Sequence, residues 1–396
     1  MKTYNFEKIY DRIGTYDVKY AMMKDVFGRN DLLGLWVADM DWPTPDFVID
    51  ALKERQEYPI LGYTAIPDEY WTAIIDWQRN LHGFEVKRDW LSYIPGIVKG
   101  IGMVLDVFTK PGDKIVVQPP VYHPFHLLPS ANGREVVWNP LKRTDVGEPG
   151  RPVQYEMDFE HLETICNEEC KVLILCNPHN PAGICWSRET LQRLAHFCTE
   201  RNILVISDEI HSDMVLHGHR HLPFASVSEE AAHCCISFAA PSKTFNIAGV
   251  VSSYCIVPDD GLRKRFYSWL EANEFGSPTM FATIATIAAF RKGEEWRRQM
   301  LQYVEENVEY VIDYCSKYIP LIRPMRPEAS FLIWMDCREM GLSHDELVDF
   351  FINKARLAMN SGAMFGPGGE GFMRLNVGTP RPILEEALSR IKEAMG

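Results

Sequence analysis

The sequence predicts an α/β fold built on a mostly parallel sheet, followed by a smaller α+β part. Two observations predict it. Between about residues 90 and 260, short apolar runs alternate with amphipathic stretches of helical period, the pattern of strands covered by helices on both faces. Beyond about residue 260 the pattern turns long-helical, with one short strand pair embedded in it.

Taken in order, the first forty or so residues are loop-like and too poor in periodic pattern to fold alone. They are expected to pack on a later part of the chain or on a partner subunit. Strands are expected at 90–94, 114–118, 134–139, 171–177, 203–208, 234–239 and 250–257, a seven-stranded sheet. Helices between them are expected at 97–109, 158–166 and 188–201. Residues 330–335 and 372–376 read as the late strand pair, and Ser343-His344-Asp345-Glu346 has the spacing of a capping box opening another helix. The division that follows is an N-terminal segment (1–45), a large domain (46–275) and a small C-terminal domain (276–396). No internal repeat, low-complexity tract or flexible linker interrupts it.

Composition narrows the class of function. With 46% hydrophobic and 24% charged residues over 396 positions, the chain has the make-up of a soluble globular protein. A formal net charge of −13 argues against a nucleic-acid or anionic-membrane partner, either of which would want a basic face. No apolar run reaches the length of a membrane span, and the residues from Met1 to Glu7 lack the apolar core of a signal peptide, so a cytoplasmic protein is expected. Ten cysteines invite a disulfide or zinc reading, but Cys166 with Cys170 and Cys234 with Cys235 form no paired C-x-x-C knuckles, and Cys176, Cys235 and Cys255 lie inside apolar runs. Reduced core thiols are expected. His217, His219 and His221 alternate like a strand face; with no carboxylate or cysteine at ligand spacing, no metal is expected there.

Open α/β sheets bind ligands beyond the carboxyl ends of their strands, and four chemistry-bearing segments fall there. Lys243 follows the apolar run 234–239 through a small-residue turn. Alone it could be a surface lysine, but at the mouth of a buried strand desolvation makes a lysine a usable amine, able to form Schiff bases with carbonyls. Asn177-Pro178-His179-Asn180-Pro181 leaves another strand as a rigid turn that also offers amide donors. Asp208 ends the run from Ile203 to Ile206, where a carboxylate is either a helix cap or the partner of a cation. Beyond the glycines of 366–371, Arg374 stands alone on an apolar strand, suited to forked capture of a carboxylate. No Lys-Ser/Thr follows those glycines, so a phosphate-binding P-loop is excluded.

These segments, in this order, resemble the fold-type I pyridoxal 5'-phosphate (PLP) enzymes of the class I/II aminotransferase group over nearly the whole chain. Trp36-Val37-Ala38-Asp39-Met40-Asp41, Pro119-Pro120-Val121-Tyr122-His123-Pro124-Phe125, Ser207-Asp208-Glu209-Ile210-His211 and Ser242-Lys243-Thr244-Phe245-Asn246 are most similar to its MalY/PatB branch of cystathionine β-lyases, or C–S lyases. The resemblance implies that Lys243 binds PLP covalently, that Asp208 pairs with the pyridinium nitrogen, and that Asn180 donates to the ring's phenolic oxygen. It places His211 where aminotransferases carry a tyrosine touching that oxygen, a departure that favours the lyase branch. Tyr122 matches the aromatic residue stacked on the ring. Gly96, Ile97 and Val98 match the helix start that offers N–H groups to the phosphate, with Ser242 adding a hydroxyl. Tyr63 resembles the tyrosine that reaches the phosphate of the neighbouring subunit, implying a homodimer with shared sites. Arg374, with Asn180 and Tyr122 beside it, matches the arginine that binds the substrate α-carboxylate. One departure stands out: Val251 occupies the spacing of the usual phosphate-binding arginine. Either fewer charges hold the phosphate or another cation substitutes, and Lys99 is near in sequence without being assigned the role.

The implied reaction is α,β-elimination of L-cystathionine or a related cysteine S-conjugate to pyruvate, ammonia and a thiol. The same residues would serve an aminotransferase, and a PLP-binding regulatory protein is the third reading, since fold does not fix reaction. Pyruvate release without a keto acid separates the first from the second; the absence of both activities would leave the third. Which thioether is preferred stays open, with Trp36, Met40 and residues 274–276 as candidates for the pocket beyond Cβ.

Overall fold

The computed structural model describes residues 2–144 and 154–396. The seven expected strands are Leu91–Ile94 (β1), Lys114–Val117 (β2), Glu135–Trp138 (β3), Cys170–Cys176 (β4), Leu204–Asp208 (β5), Cys235–Ala239 (β6) and Ser253–Ile256 (β7). They form one sheet in the order β1-β7-β6-β5-β4-β2-β3. Only β7 runs against the rest, pairing antiparallel with both β6 and β1. The carboxyl ends of β1, β4, β5 and β6 therefore open on the same edge of the sheet.

The continuous apolar runs have a direct cause: both faces of the sheet are buried. Along β4 and β5, Leu173, Leu175 and Val205 enter one core cluster, and Val172, Ile174 and Ile206 enter the other. The helix Ile97–Phe108 covers the second face, burying Ile97, Ile101, Val104 and Leu105 on one side of its surface. Fully burying each such side chain contributes on the order of 1.5–3 kcal/mol. The helix lies so close that a Cβ on Gly100 would stand 2.7 Å from Ile94 Cδ1. This approach fixes where its amino end points.

Two expectations are corrected. The strand expected at 250–257 starts only at Ser253, because Ala248–Val250 form a tight turn and Val251 adopts a left-handed conformation with φ 58°. The histidines at 217, 219 and 221 lie on a turn rather than a strand face, since His217 (φ 53°) and Gly218 (φ 78°) are also left-handed. Their ring nitrogens lie 3.8 Å from Glu309, 3.8 Å from Glu328 and 3.2 Å from Glu209 respectively, three different partners. All ten cysteines are free thiols.

The late strand pair is part of a four-stranded sheet. Arg323–Pro324 (β8), Leu332–Asp336 (β9), Asn360–Ser361 (β10) and Phe372–Asn376 (β11) pair antiparallel in the order β8-β9-β11-β10. The Ser343 capping box is present. Buried Asn307, on the long helix Glu294–Tyr318, donates to the Val377 and Thr379 carbonyls at 2.9 Å and fixes the exit of β11. Leu33–Gly34 pairs parallel with Leu357–Ala358, so the N-terminal segment is joined to the rest by backbone hydrogen bonds. Among the described residues, no helix is long and apolar enough to cross a membrane.

Candidate active site

A cavity of about 310 Å³ opens at the carboxyl ends of β1, β4, β5 and β6. Each strand leads polar groups into it. From β5, Asp208 enters it fully buried, its Oδ1 accepting the Ile210 N–H at 3.0 Å. Burial pushes this carboxyl up to about 7, opposed by that hydrogen bond and by the Lys243 charge. From β4, the turn through Pro178 brings in Asn180, and from β6 the turn through Pro241 brings in Ser242 and Lys243. Burial lowers the Lys243 ammonium to about 8; Arg374 adds to the effect, and the Asp39 and Asp208 carboxylates oppose it. Its Nζ donates to the Ala38 carbonyl. The desolvated amine expected from sequence is thus in place.

β1 leads through Pro95 to Gly96, the N-cap of helix Ile97–Phe108. At φ 119° and ψ 149°, Gly96 holds a conformation that only glycine adopts readily. The first-turn N–H groups, Ile97 and Val98 among them, have no intrahelical acceptor and face this cavity. Tyr122 lines it as well, its backbone N–H bonded to the Asn180 carbonyl at 3.1 Å. His211 completes the set: burial lowers its imidazole to about 3, so the ring is neutral, and its Nδ1 has no partner.

Arg374, on β11, is buried beside the cavity. Nη1 donates to Asn180 Oδ1 at 3.0 Å; Nη2 donates to the Trp36 carbonyl at 3.0 Å and to Asn360 Oδ1 at 2.6 Å; Nε is unpaired. The guanidinium lies 5.0 Å from the Phe365 ring centre. Burial lowers it to about 10 and leaves it charged at neutral pH. Asn180 spends its carbonyl oxygen on Arg374, which leaves its NH₂ for the cavity. The preceding glycines permit close backbone approach: a Cβ on Gly362 would sit 2.1 Å from the Gly369 carbonyl oxygen.

Sequence reasoning missed what holds these groups. Residues 36–42 form a strap that touches the cavity at Ala38 and whose main-chain carbonyls accept from Arg374 (Trp36), Lys243 (Ala38), Asn376 (Val37 and Asp39) and Asn246 (Met40 and Trp42). The strap is pinned from outside. Arg12 pairs with Asp39 at 2.6 Å and Asp41 at 2.7 Å, and buried Lys19 lies 2.8 Å from Asp41 and 3.2 Å from Asp39. Asp39, which burial alone would raise, is held below the usual carboxylate range by Lys19 and Arg12. Behind Lys243, Thr244 donates to Asp213 at 3.0 Å, and Asp213 meets His82 at 2.9 Å.

Of the residues singled out from sequence, Gly96, Ile97, Val98, Tyr122 and Asn180 line this cavity, as do Asp208, His211, Ser242 and Lys243, with Arg374 joined through Asn180. Tyr63 is not among them. It is fully exposed, on a surface segment with Tyr58, Ile60 and Leu61, and lines no part of the cavity of its own chain. Of the pocket candidates, Trp36 and Met40 belong to the strap but do not line the cavity, and neither do residues 274–276, of which Phe275 stacks on Trp269 with centroids 5.8 Å apart.

The arrangement suits a flat cofactor with an electrophilic carbonyl for Lys243, a basic ring nitrogen for a carboxylate that has no other full partner, and an anionic group for a helix amino end. Asp208 carries the test of fit, since a buried carboxyl driven up to about 7 is costly until a cation meets it.

Comparison with known proteins agrees with this geometry. Residues 28–391 match the family described as aminotransferase class I and II. The chain is 43% identical over 392 residues to cystathionine β-lyase PatB of Bacillus subtilis, covering 99% of this chain and 100% of PatB. Its fold is similar to that of cystalysin from Treponema denticola, a structure containing PLP, with a TM-score of 0.94 and 30% identity over 100% of this chain and 99% of that one. The PLP-bound C–S lyase of Staphylococcus hominis gives a TM-score of 0.90 and 32% identity over 99% and 98% of the two chains.

Proposed function

The chain belongs to the aminotransferase class I and II family, in the PatB and MalY branch, and on that premise we infer that it is a PLP-dependent carbon–sulfur β-lyase. It would convert L-cystathionine or a related cysteine S-conjugate, with water, to a thiol, pyruvate and ammonia. The observation that carries the reading is the placement of Lys243 Nζ: a half-buried amine lowered to about 8, with Asp208 and the first turn of helix Ile97–Phe108 around the same cavity.

When bound, PLP supplies an aldehyde for the substrate amine and a ring that withdraws electrons from the substrate Cα. The chain does the rest. Asp208 would hold a proton on the ring nitrogen by charge, and Asn180 and His211, which line the same cavity, would meet the ring's phenolic oxygen. Tyr122 would pack its aromatic face on the ring. Arg374, oriented by Asn180, Asn360 and the Trp36 carbonyl, takes the α-carboxylate and so aims the Cα–H bond. Lys243 Nζ removes the Cα proton, and the sulfur leaves Cβ with the bonding electrons as a thiolate. The strap keeps the Ala38 carbonyl beside that amine, a fixed dipole for its protonated state.

Two further features belong to this reading. The large domain over 46–275, the small one over 276–396 and the segment 1–45 would flank the cavity, in a cytoplasmic protein. The exposed Tyr63 would serve the phosphate of a partner subunit in a homodimer. Mixing inactive Lys243→Ala protomers with inactive Tyr63→Phe protomers under subunit exchange should then restore activity, because one site of each hybrid has both wild-type contributions. No recovery despite demonstrated exchange would place each site within one chain.

Arg374→Lys keeps the charge but loses the fork that Asn180 and Asn360 orient. Its kcat/KM should fall on the order of 10²-fold while the absorbance of the bound cofactor stays unchanged. The test of function is release of pyruvate from L-cystathionine, equimolar with the thiol, in the absence of any keto acid. Amino-group transfer that requires a keto acid, with no pyruvate, would make the protein an aminotransferase instead.

A further inference from the structure

The phosphate end of the cavity has a charge problem. Val251 stands where an arginine is usual, contributing no cation, and its left-handed backbone (φ 58°, ψ 59°) spends its carbonyl on Tyr93 Oη at 2.9 Å. The strain of that conformation on a β-branched residue is kept at the rim of the cavity, yet brings no positive group into it.

Lys99 does. It is the third residue of helix Ile97–Phe108 and lines the cavity together with Gly96, Val98, Ser242, Val251 and Ser253. Within the chain its position is unfavourable, because a cation in the first turn opposes the helix dipole. No ion pair offsets that: among the described residues Lys99 has neither a carboxylate within salt-bridge distance nor a hydrogen bond. Two hydroxyls point to the same missing group. Ser242 and Ser253 are 8% and 4% exposed, both line the cavity, and neither side chain has a hydrogen-bond partner among the described residues. A lysine that opposes the helix dipole, two unpartnered serine hydroxyls lining the cavity and free first-turn N–H groups all become favourable at once around a dianion.

We propose that Lys99 supplies the cation for the cofactor phosphate, taking the part that Val251 cannot. This rests on the PLP reading and adds to it a residue specific for the phosphate. As a flexible point charge rather than a planar fork, Lys99 would neutralise the dianion without fixing its orientation, which is left to the helix amides and the serines.

The test compares two ligands that differ only in the phosphate. PLP and pyridoxal are each titrated into full-length protein freed of cofactor, followed by absorbance and by quenching of tryptophan fluorescence, for wild type, Lys99→Gln and Lys99→Arg. Lys99→Gln should raise the Kd for PLP about tenfold, the usual worth of one charge-assisted contact. It should leave pyridoxal binding unchanged, and Lys99→Arg should restore PLP binding. The expected loss should shrink as salt is raised. An unchanged Kd for PLP in Lys99→Gln, or an equal weakening of PLP and pyridoxal, overturns the assignment of Lys99. Failure of the wild-type protein to bind either ligand overturns the cofactor reading beneath it.

Discussion

Lys243→Ala is expected to abolish turnover, lowering kcat by at least about 10⁴-fold, and to remove the covalent attachment of PLP. Among the described residues, no other amine stands inside the cavity to take its place. Lys19 is locked between Asp39 and Asp41, and Lys99 sits at the exposed helix end. The methyl group left at position 243 can neither bond the cofactor nor move the Cα proton, so binding and proton transfer fail together. Packing should survive, because the neighbours of Lys243 are held independently: Thr244 by Asp213, and the strap by Asn246 and Asn376. Melting temperature and circular dichroism close to wild type, with turnover lost, is the predicted combination. Near-normal turnover in Lys243→Ala would end the assignment.

Asp208→Asn should retain some PLP and still lose on the order of 10²-fold or more in kcat. The amide can keep the hydrogen bond from the Ile210 N–H, so the turn after β5 need not move. What it lacks is the charge that keeps a proton on the ring nitrogen, and the electron sink weakens with it. A second signature appears in the protein freed of cofactor. The Asp208 carboxyl rises from 3.8 to about 7 on folding, so between those values the folded state binds a proton that the unfolded state does not. Its contribution to stability is therefore complete at low pH and is lost as pH rises from about 4 to about 7. Asp208→Asn should flatten that part of the stability curve. Wild-type turnover, or an unaltered curve, would move the ring-nitrogen partner elsewhere.

The groups that perform the chemistry were legible in the sequence because of where they stand. Lys243, Asp208 and Asn180 each follow an apolar run, and a polar residue at that point of a parallel sheet faces the ligand edge. The runs themselves were readable because both faces of β4 and β5 are buried, which removes the ambiguity of alternation. The supports were not legible. The strap acts through the carbonyls of Trp36 and Ala38, which any residue type would carry, on Arg374 and Lys243 more than two hundred positions away. Asn360 next to Arg374, and Arg12 with Lys19 on Asp39 and Asp41, depend on pairings between distant segments. The late start of β7 was hidden because valine at 251 reads as strand while its backbone turns left-handed. Tyr63 lies fully exposed in one chain, so the role expected of it would need a second chain.

The central claim, that the cavity amine of Lys243 is the point of cofactor attachment and of the chemistry, is tested most directly by trapping. The yellow protein, purified with PLP, is reduced with sodium borohydride, digested, and the peptides are mapped by mass spectrometry. The prediction is loss of the visible absorbance together with a single pyridoxyl group on the peptide carrying Lys243. A pyridoxyl group on another lysine with Lys243 unmodified, or no label on a protein that still turns over substrate, would contradict it.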